Sequence, residues 1–220
     1  NKCYVDTFDR NFKFDVEHIS LAKKADIFMI APATANVIAK IANGIADDML
    51  TTTFLASKCK KIVSPAMNTA MFENQITQDN IAKLNKYGIG VVEPQNGLLA
   101  CGDVGAGKMP EPDFLFDVIE REIAREKDML GKKVLVTAGA TMESLDPVRF
   151  LTNHSSGKMG FAIAKEAMLR GAEVTVVKAN TTAEIPNFIK IVEVSSAKDM
   201  FDAVTVLSDQ QDIIVKAAAV

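Results

Sequence analysis

Short apolar runs alternate with helical patterns along nearly the whole 220-residue chain, and that alternation restricts what it can fold into. Ile27–Ile30, Lys61–Val63, Gly90–Val92, Val134–Val136, Val174–Val177, Ile189–Val194 and Ile213–Val215 read as strands. Between them, Thr34–Asn43, Asp47–Ala56, Thr77–Lys86, Asp113–Lys127, Gly160–Arg170 and Ala197–Ser208 read as helices. Gly44, Gly88 and Gly171 stand where a helix ends in a left-handed residue. Strands of this buried type, separated by helices, predict parallel sheets covered by helices, an α/β fold.

The charged stretch REIAREKDM gives way to LGKKVLVTAG, where a fresh strand–loop–helix unit opens. This places a boundary near Leu130 and divides the chain into residues 1–130 and 131–220. The expected architecture is two consecutive Rossmann-like three-layer units, the first flavodoxin-like and the second nucleotide-binding. Each is expected to be truncated: the first lacks a glycine-rich opening turn, the chain begins at Asn1, and it ends in the apolar run AAAV. A formal net charge of −3 leaves no footprint for nucleic acid or an anionic membrane. The apolar run from Ile27 to Ala46 is interrupted by Pro32, Asn36, Lys40 and Asn43, so it is no membrane span. Cys3, Cys59 and Cys101 form no C-x-x-C pair, which suits a reducing, cytoplasmic setting.

In ACGDVGAGKMPEP, Ala100–Pro112, the glycines have the G-x-x-x-x-G-K spacing of a phosphate-binding loop. Such a loop follows a strand, opens a helix and continues with Ser or Thr. Here NGLLA precedes it, Met109 replaces the hydroxyl, and Pro110 and Pro112 are expected to stop a helix. Glycines flanking Cys101 suit instead a flap that closes over a ligand and delivers a thiol as proton donor. A surface loop with an incidental cysteine is the alternative. PAMNTAMF, Pro65–Phe72, follows a strand, and ligands of α/β proteins bind at such strand ends. Asn68 either caps the next helix or binds a carboxylate, with Met67 and Met71 lining an apolar pocket. In APATAN, Ala33 and Ala35 let a flat ligand approach the backbone, while Thr34, Asn36 and the helix start can donate to a phosphate. A capped turn explains the same residues. His18 is one of two histidines and a candidate general base. Further on, Thr141, Arg149, Asn153, Ser155, Ser156 and Lys158 surround a helix start and suit a nucleotide triphosphate. A dinucleotide dehydrogenase would want an acidic residue where Lys178 stands, and neither Tyr4 nor Tyr87 has Lys four residues on.

In order, EHISLAKKADIFMIAPATAN, PAMNTAMF, LLACGDVGAGKM and LDPVRFLTNHSSGKMG closely resemble the bifunctional phosphopantothenoylcysteine decarboxylase/phosphopantothenate–cysteine ligase family of coenzyme A synthesis. The resemblance covers essentially the whole chain and implies an internal fragment of the fused enzyme. It implies FMN-dependent decarboxylation of 4′-phosphopantothenoylcysteine to 4′-phosphopantetheine in the first half. There His18 would be the base, Asn68 and Met71 would contact the substrate, and Cys101 would be the final proton donor. Ala33, Thr34, Ala35 and Asn36 would hold FMN. In the second half it implies CTP-dependent joining of 4′-phosphopantothenate to L-cysteine, with Mg2+ accompanying the triphosphate. Asn153 would contact the acyl-cytidylate, and Ser155, Ser156, Gly157, Lys158, Lys216, Ala217 and Ala218 would contact CTP. Homo-oligomers are the family's habit. Departures are the absent glycine-rich flavin turn, the absent lysine-rich loop beyond AAAV, Phe72 for Trp or Tyr, and Met142 for Arg. A non-catalytic flavoprotein subunit on the same scaffold is the alternative function.

Overall fold

Three parallel strands organise the described part of the first unit, in the spatial order β1 (Ile27–Ala33), β2 (Lys60–Pro65), β3 (Gly90–Val91). The computed structural model describes residues 17–98, 102 and 104–220. Contacts divide the chain into Asn1–Leu115 and Phe116–Val220. In the first unit α1 (Glu17–Lys24) leads into β1, and α2 (Ala35–Asn43) and α3 (Met49–Ala56) connect β1 to β2. The segments α4 (Thr69–Glu73) and α5 (Gln75–Lys86) connect β2 to β3. Parallel neighbours need such crossovers because a tight turn cannot reverse the chain twice. Ile38, Val63 and Leu84 are inaccessible at the centre of this packing, joined by Ile30, Ala33 and Phe54. Each fully buried aliphatic side chain there contributes about 1.5–3 kcal/mol relative to exposure.

Local chemistry sets the helix ends. Thr34 accepts the Val37 N–H (3.3 Å) at the start of α2, and Gly44 closes it in the left-handed region at φ 71°. Asp48 accepts the Thr51 N–H at 2.7 Å in a capping box that starts α3, and Lys40 reaches both Asp47 (2.7 Å) and Asp48 (3.1 Å). The Thr51 backbone bond, then the Thr51 hydroxyl and Lys40, hold the Asp48 carboxyl below the usual aspartate range. The Thr77–Lys86 helix begins earlier than its sequence pattern suggested, at Gln75. Asn74 accepts the Ile76 N–H at 3.0 Å and separates α5 from the short α4.

A two-stranded antiparallel hairpin, β4 (Gln95–Leu98) with β5 (Val104–Lys108), follows β3. The G-x-x-x-x-G-K spacing therefore ends inside a strand, where a phosphate-binding loop would open a helix. Pro112 does not stop a helix; it begins one, α6 (Pro112–Ile123). Proline at a first helical position gives up an N–H that has no partner there anyway.

In the second unit four parallel strands lie in the order β10 (Lys190–Glu193), β9 (Glu173–Lys178), β6 (Lys133–Ala138), β11 (Ile213–Lys216). Alternate residues of β6 face opposite ways. Val134 and Val136 pack with Phe161, Ala164 and Met168 of α7 (Lys158–Leu169), while Leu135 packs with Met200 of α8 (Ala197–Ser208). A second small antiparallel pair, β7 (Met142–Ser144) with β8 (Phe150–Thr152), separates β6 from α7. The Lys127 ammonium donates to the carbonyls of Arg121 and Leu169, satisfying groups that helix ends leave open. The fold is mixed α/β built on parallel sheets, with contacts dividing the chain between Leu115 and Phe116.

A Cβ on Gly160 would lie 2.6 Å from the Ala138 Cβ and 3.1 Å from the Thr137 carbonyl, so α7 crosses β6 at backbone contact. Gly160→Ala is expected to destabilise the second unit by about 1–3 kcal/mol in denaturant titration. Asp48→Ala is expected to cost the first unit about 1 kcal/mol. Because the folded Asp48 pKa is depressed, its contribution is present above the unfolded value and fades as pH falls below about 4. Acid titration of wild type against Asp48→Asn, which keeps the cap and lacks the charge, isolates that part. It is small, because the carboxylate is partly exposed.

Candidate functional sites

The parallel ladder of the first unit continues past its regular register. After an irregularity following Ile30, Ala33 pairs with Pro65, and the Ala66 N–H donates to the Ala33 carbonyl at 3.0 Å. This puts the Thr34–Asn36 turn beside the Ala66–Asn68 turn, both at strand C-terminal ends. Ala33 is inaccessible and belongs to the core, so of the four APATAN candidates it presents no side-chain surface. Ala35 and Asn36 supply the first amides of α2, which a helix start leaves open to an acceptor. Asn68 caps α4 by accepting the Ala70 N–H at 2.9 Å. Met67 packs against the core, whereas Met71 is 49% exposed on the outside of α4.

The β4–β5 hairpin docks on this second turn. The Met67 N–H donates to the Gly107 carbonyl at 3.1 Å. A Cβ on Gly107 would sit 2.2 Å from the Met67 carbonyl oxygen, and one on Gly105 would sit 2.5 Å from the Thr69 hydroxyl. Only glycine allows this approach, and Gly107 also has φ +128°. Cys101 falls in sequence between β4 and β5 and lies outside the described residues. His18 sits half-buried in the first turn of α1, with Nδ1 buried and without a hydrogen-bond partner among the described residues. Three other polar atoms are similarly orphaned among the described residues: Ser57 Oγ just after α3, Ser64 Oγ at the end of β2, and Thr69 Oγ1 under the hairpin. Buried polar atoms without partners are costly and mark places where a ligand or water supplies the bond. The set of open amides and hydroxyls fits a phosphate-bearing or heteroaromatic ligand. A cavity of about 760 Å3 lies elsewhere, among Gly44, Phe54, Ser57, Lys58, Lys61 and Tyr87, and contains none of the Thr34–Asn36 or Ala66–Thr69 residues. The candidate site rests on loop chemistry, not on cavity size.

In the second unit β11 pairs with β6, and Thr137 gathers the chain beyond it. Its hydroxyl accepts the N–H groups of Ala217 (3.2 Å) and Ala218 (3.1 Å). Ala219 donates to the Gly139 carbonyl at 2.9 Å and accepts the Thr141 N–H at 3.0 Å. On the other side Gly157, left-handed at φ +78°, lies so near that its Cβ would be 3.3 Å from the Gly139 nitrogen. The Ser155–Lys158 and Lys216–Ala218 segments, far apart in sequence, thus meet at the end of β6. Asn153 is exposed and its Oδ1 accepts the Ser155 N–H at 3.2 Å, shaping the turn. Lys178 ends β9 and pairs with Glu193 of β10 at 2.8 Å, so the position that would hold a ribose carboxylate carries a cation. Among the described residues no group of three or more His, Cys, Asp or Glu side chains is placed to hold a metal ion. Thr137 and Gly139 were not singled out from the sequence, whereas Gly105 and Gly107 were read there only as glycines of a flap. The signal for the first two was a polar Thr and a Gly interrupting VLVTAG at its C-terminal end.

The family model described as Flavoprotein matches residues 1–124. This chain belongs to the flavoprotein family. The model described as the C-terminal domain of DNA/pantothenate metabolism flavoprotein matches residues 129–220 of it. The chain is 44% identical over 223 residues to the coenzyme A biosynthesis bifunctional protein CoaBC of Bacillus subtilis, covering 100% of this chain and 55% of that protein. It is 46% identical over 203 residues to the CoaBC of Vibrio vulnificus, covering 92% of this chain and 50% of that protein. The chain therefore spans about half the length of the curated relatives it matches. Among solved structures, a PPC decarboxylase carrying a cysteine-to-serine substitution and complexed with pantothenoylaminoethenethiol superposes with a TM-score of 0.52 at 33% identity. That match covers 56% of this chain and 70% of the other. No helix among the described residues is long and apolar enough to cross a membrane.

Gly107→Ala is expected to lift the hairpin from the Met67–Thr69 turn while leaving β1–β3 folded. Amide exchange at Met67 should then accelerate by about tenfold or more, from lost hydrogen bonding and added strain.

Proposed function

We propose that the first part of this chain is an FMN-dependent decarboxylase of 4′-phosphopantothenoylcysteine. The second part is then the opening portion of a CTP-dependent phosphopantothenate–cysteine ligase, both acting in coenzyme A biosynthesis. The observation that carries the first assignment is the hairpin docked by Gly105 and Gly107 on the Asn68 turn, beside the amides that open α2. It is the arrangement a small, covered acid needs. Two Rossmann-like units, meeting near residue 130, are the architecture that goes with this reading.

When bound, FMN supplies a two-electron acceptor that later returns the pair. Thr34, Ala35 and Asn36 hold it through hydroxyl and helix-start amides. The chain's own side chains manage protons and the carboxylate. Asn68 fixes its amide group by accepting the Ala70 N–H on Oδ1, and an amide N–H has the polarity a carboxylate requires. Holding the carboxylate there orients the bond to be broken. The His18 imidazole accepts the proton that the substrate gives up, and the Cys101 thiol returns one to the product. The β4–β5 hairpin excludes water while the charge is redistributed. In the second unit the Ser155–Lys158 turn and Lys216–Ala218 hold CTP, Asn153 contacts the activated acyl group, and Mg2+ accompanies the triphosphate. A cytoplasmic homo-oligomer acting on small molecules completes this reading.

The test uses the purified protein that carries this chain, with phosphopantothenoylcysteine added, following CO2 release together with flavin absorbance. Wild type is expected to release CO2 and form phosphopantetheine. Asn68→Ala should lose about ten- to hundredfold in rate, the worth of a hydrogen bond to a charged group. His18→Asn should lose about a hundredfold or more. Cys101→Ser should release CO2 and stop before the reduced product. A folded, yellow protein that releases no CO2 would be a binding subunit, and the decarboxylase reading would fall.

A further inference from the structure

Four helices of this chain begin in visibly different ways. Thr34, Asp48 and Ser196 cap α2, α3 and α8 with side-chain oxygens, whereas α7 begins at Gly157, which has no side chain to do so. The amides that open α7 are aimed by the position of the Ser155–Gly157 turn, in which the Gly157 N–H reaches the Ser155 hydroxyl at 3.4 Å and the Lys158 N–H the Ser156 hydroxyl at 3.5 Å. That position is set by Thr181, in the segment after β9. Its hydroxyl donates to the Ser156 carbonyl at 2.6 Å and accepts the Ala183 N–H at 3.1 Å, so both of its roles are used. The same oxygen would lie 2.5 Å from any Cβ on Gly157, which is wedged between Thr181 and the Gly139 nitrogen. Thr181 is itself anchored. The preceding Asn180 exchanges two hydrogen bonds with Ala140, of 2.8 and 3.0 Å, at the end of β6.

We propose that Thr181 is a positioning residue for nucleotide binding. Its hydroxyl clamps the Ser156–Gly157 peptide to the ends of β6 and β9, so that the amides opening α7 meet a nucleotide's phosphates in a fixed geometry. This rests on the reading of the Ser155–Lys158 turn as part of the CTP site. Thr181 touches neither the phosphates nor the reacting atoms, so its loss weakens nucleotide affinity and leaves the chemical step nearly unchanged. The hydroxyl, not the methyl, does this, because the Ser156 carbonyl is reached only through Oγ1.

The experiment uses the protein that carries this chain and measures CTP binding by calorimetry, CTP KM and kcat for ligation, and thermal melting. It compares wild type, Thr181→Val and Thr181→Ser. Thr181→Val, which keeps the shape and removes the donor, is expected to weaken CTP binding and raise KM about fivefold, the net worth of one hydrogen bond, with kcat within about twofold. Thr181→Ser should bind CTP within about twofold of wild type. Where the Val variant does not fold, Thr181→Ala removes the same donor without adding volume and carries the same expectation. Unchanged CTP affinity in the donor-less variant overturns the proposal. So does a Ser variant as weak as Val, because the methyl and its packing would then be what matters. A loss confined to kcat overturns it as well. A folded wild-type protein that binds no CTP overturns the nucleotide reading beneath it, an outcome visible before any variant is made.

Discussion

Both candidate sites depend on parallel backbone pairing that runs on beyond the last regular strand residue. In the first unit the Ala33–Pro65 pairing and the Ala66-to-Ala33 hydrogen bond hold two turns side by side. In the second, the Gly139–Ala140 segment is bonded to Asn180 on one side and Ala219 on the other. Parallel strands end at the same edge of a sheet, so their following turns are brought together automatically, and the helices after them start there with open amides. Remove the extended pairing and the chemistry-bearing residues still exist, but nothing fixes their spacing.

Glycines then set how closely other elements approach those edges. Gly105 and Gly107 let the β4–β5 hairpin touch the Met67–Thr69 backbone, and Gly157 and Gly160 let α7 approach the end of β6. In each case a methyl group would stand at or inside 2.6 Å of an existing atom. The glycines in the apparent phosphate-loop spacing thus have a different use. Gly107, with Gly105 inside the spacing, permits the β4–β5 hairpin to dock on the Met67–Thr69 turn. The bare start of α7 is the converse case. Lacking a capping side chain of its own, it is held by a residue more than twenty positions downstream.

The strands of both parallel sheets were legible because continuous runs of Val, Ile and Leu leave few alternatives. Helix ends were nearly as plain, with Gly44, Gly88 and Gly171 each in the left-handed region. The two small hairpins were not legible. QNGL and VGAGK lack both β-branched density and alternation, and their pairing is fixed by docking instead of by their own propensity. Pro112 misled for a related reason: the same ring ends one helix and begins another, and only the neighbouring backbone decides. The candidate residues were legible as types in loops, yet Ala33 turned out to be core and Met71 to be outside.

The sequence by itself determined the α/β class, the positions of the main strands and helices, and the family to which the chain belongs. Those follow from local pattern and from motifs read in order, and both are properties of neighbouring residues. Tertiary structure alone decided which loops meet. Thr137 gathering Ala217 and Ala218, Gly107 seated on Met67, and Thr181 fastened to Ser156 join positions about 80, 40 and 25 residues apart. No local preference encodes such contacts. They arise when sheet register and helix packing are complete, because only then do backbone groups distant in sequence come within hydrogen-bonding reach.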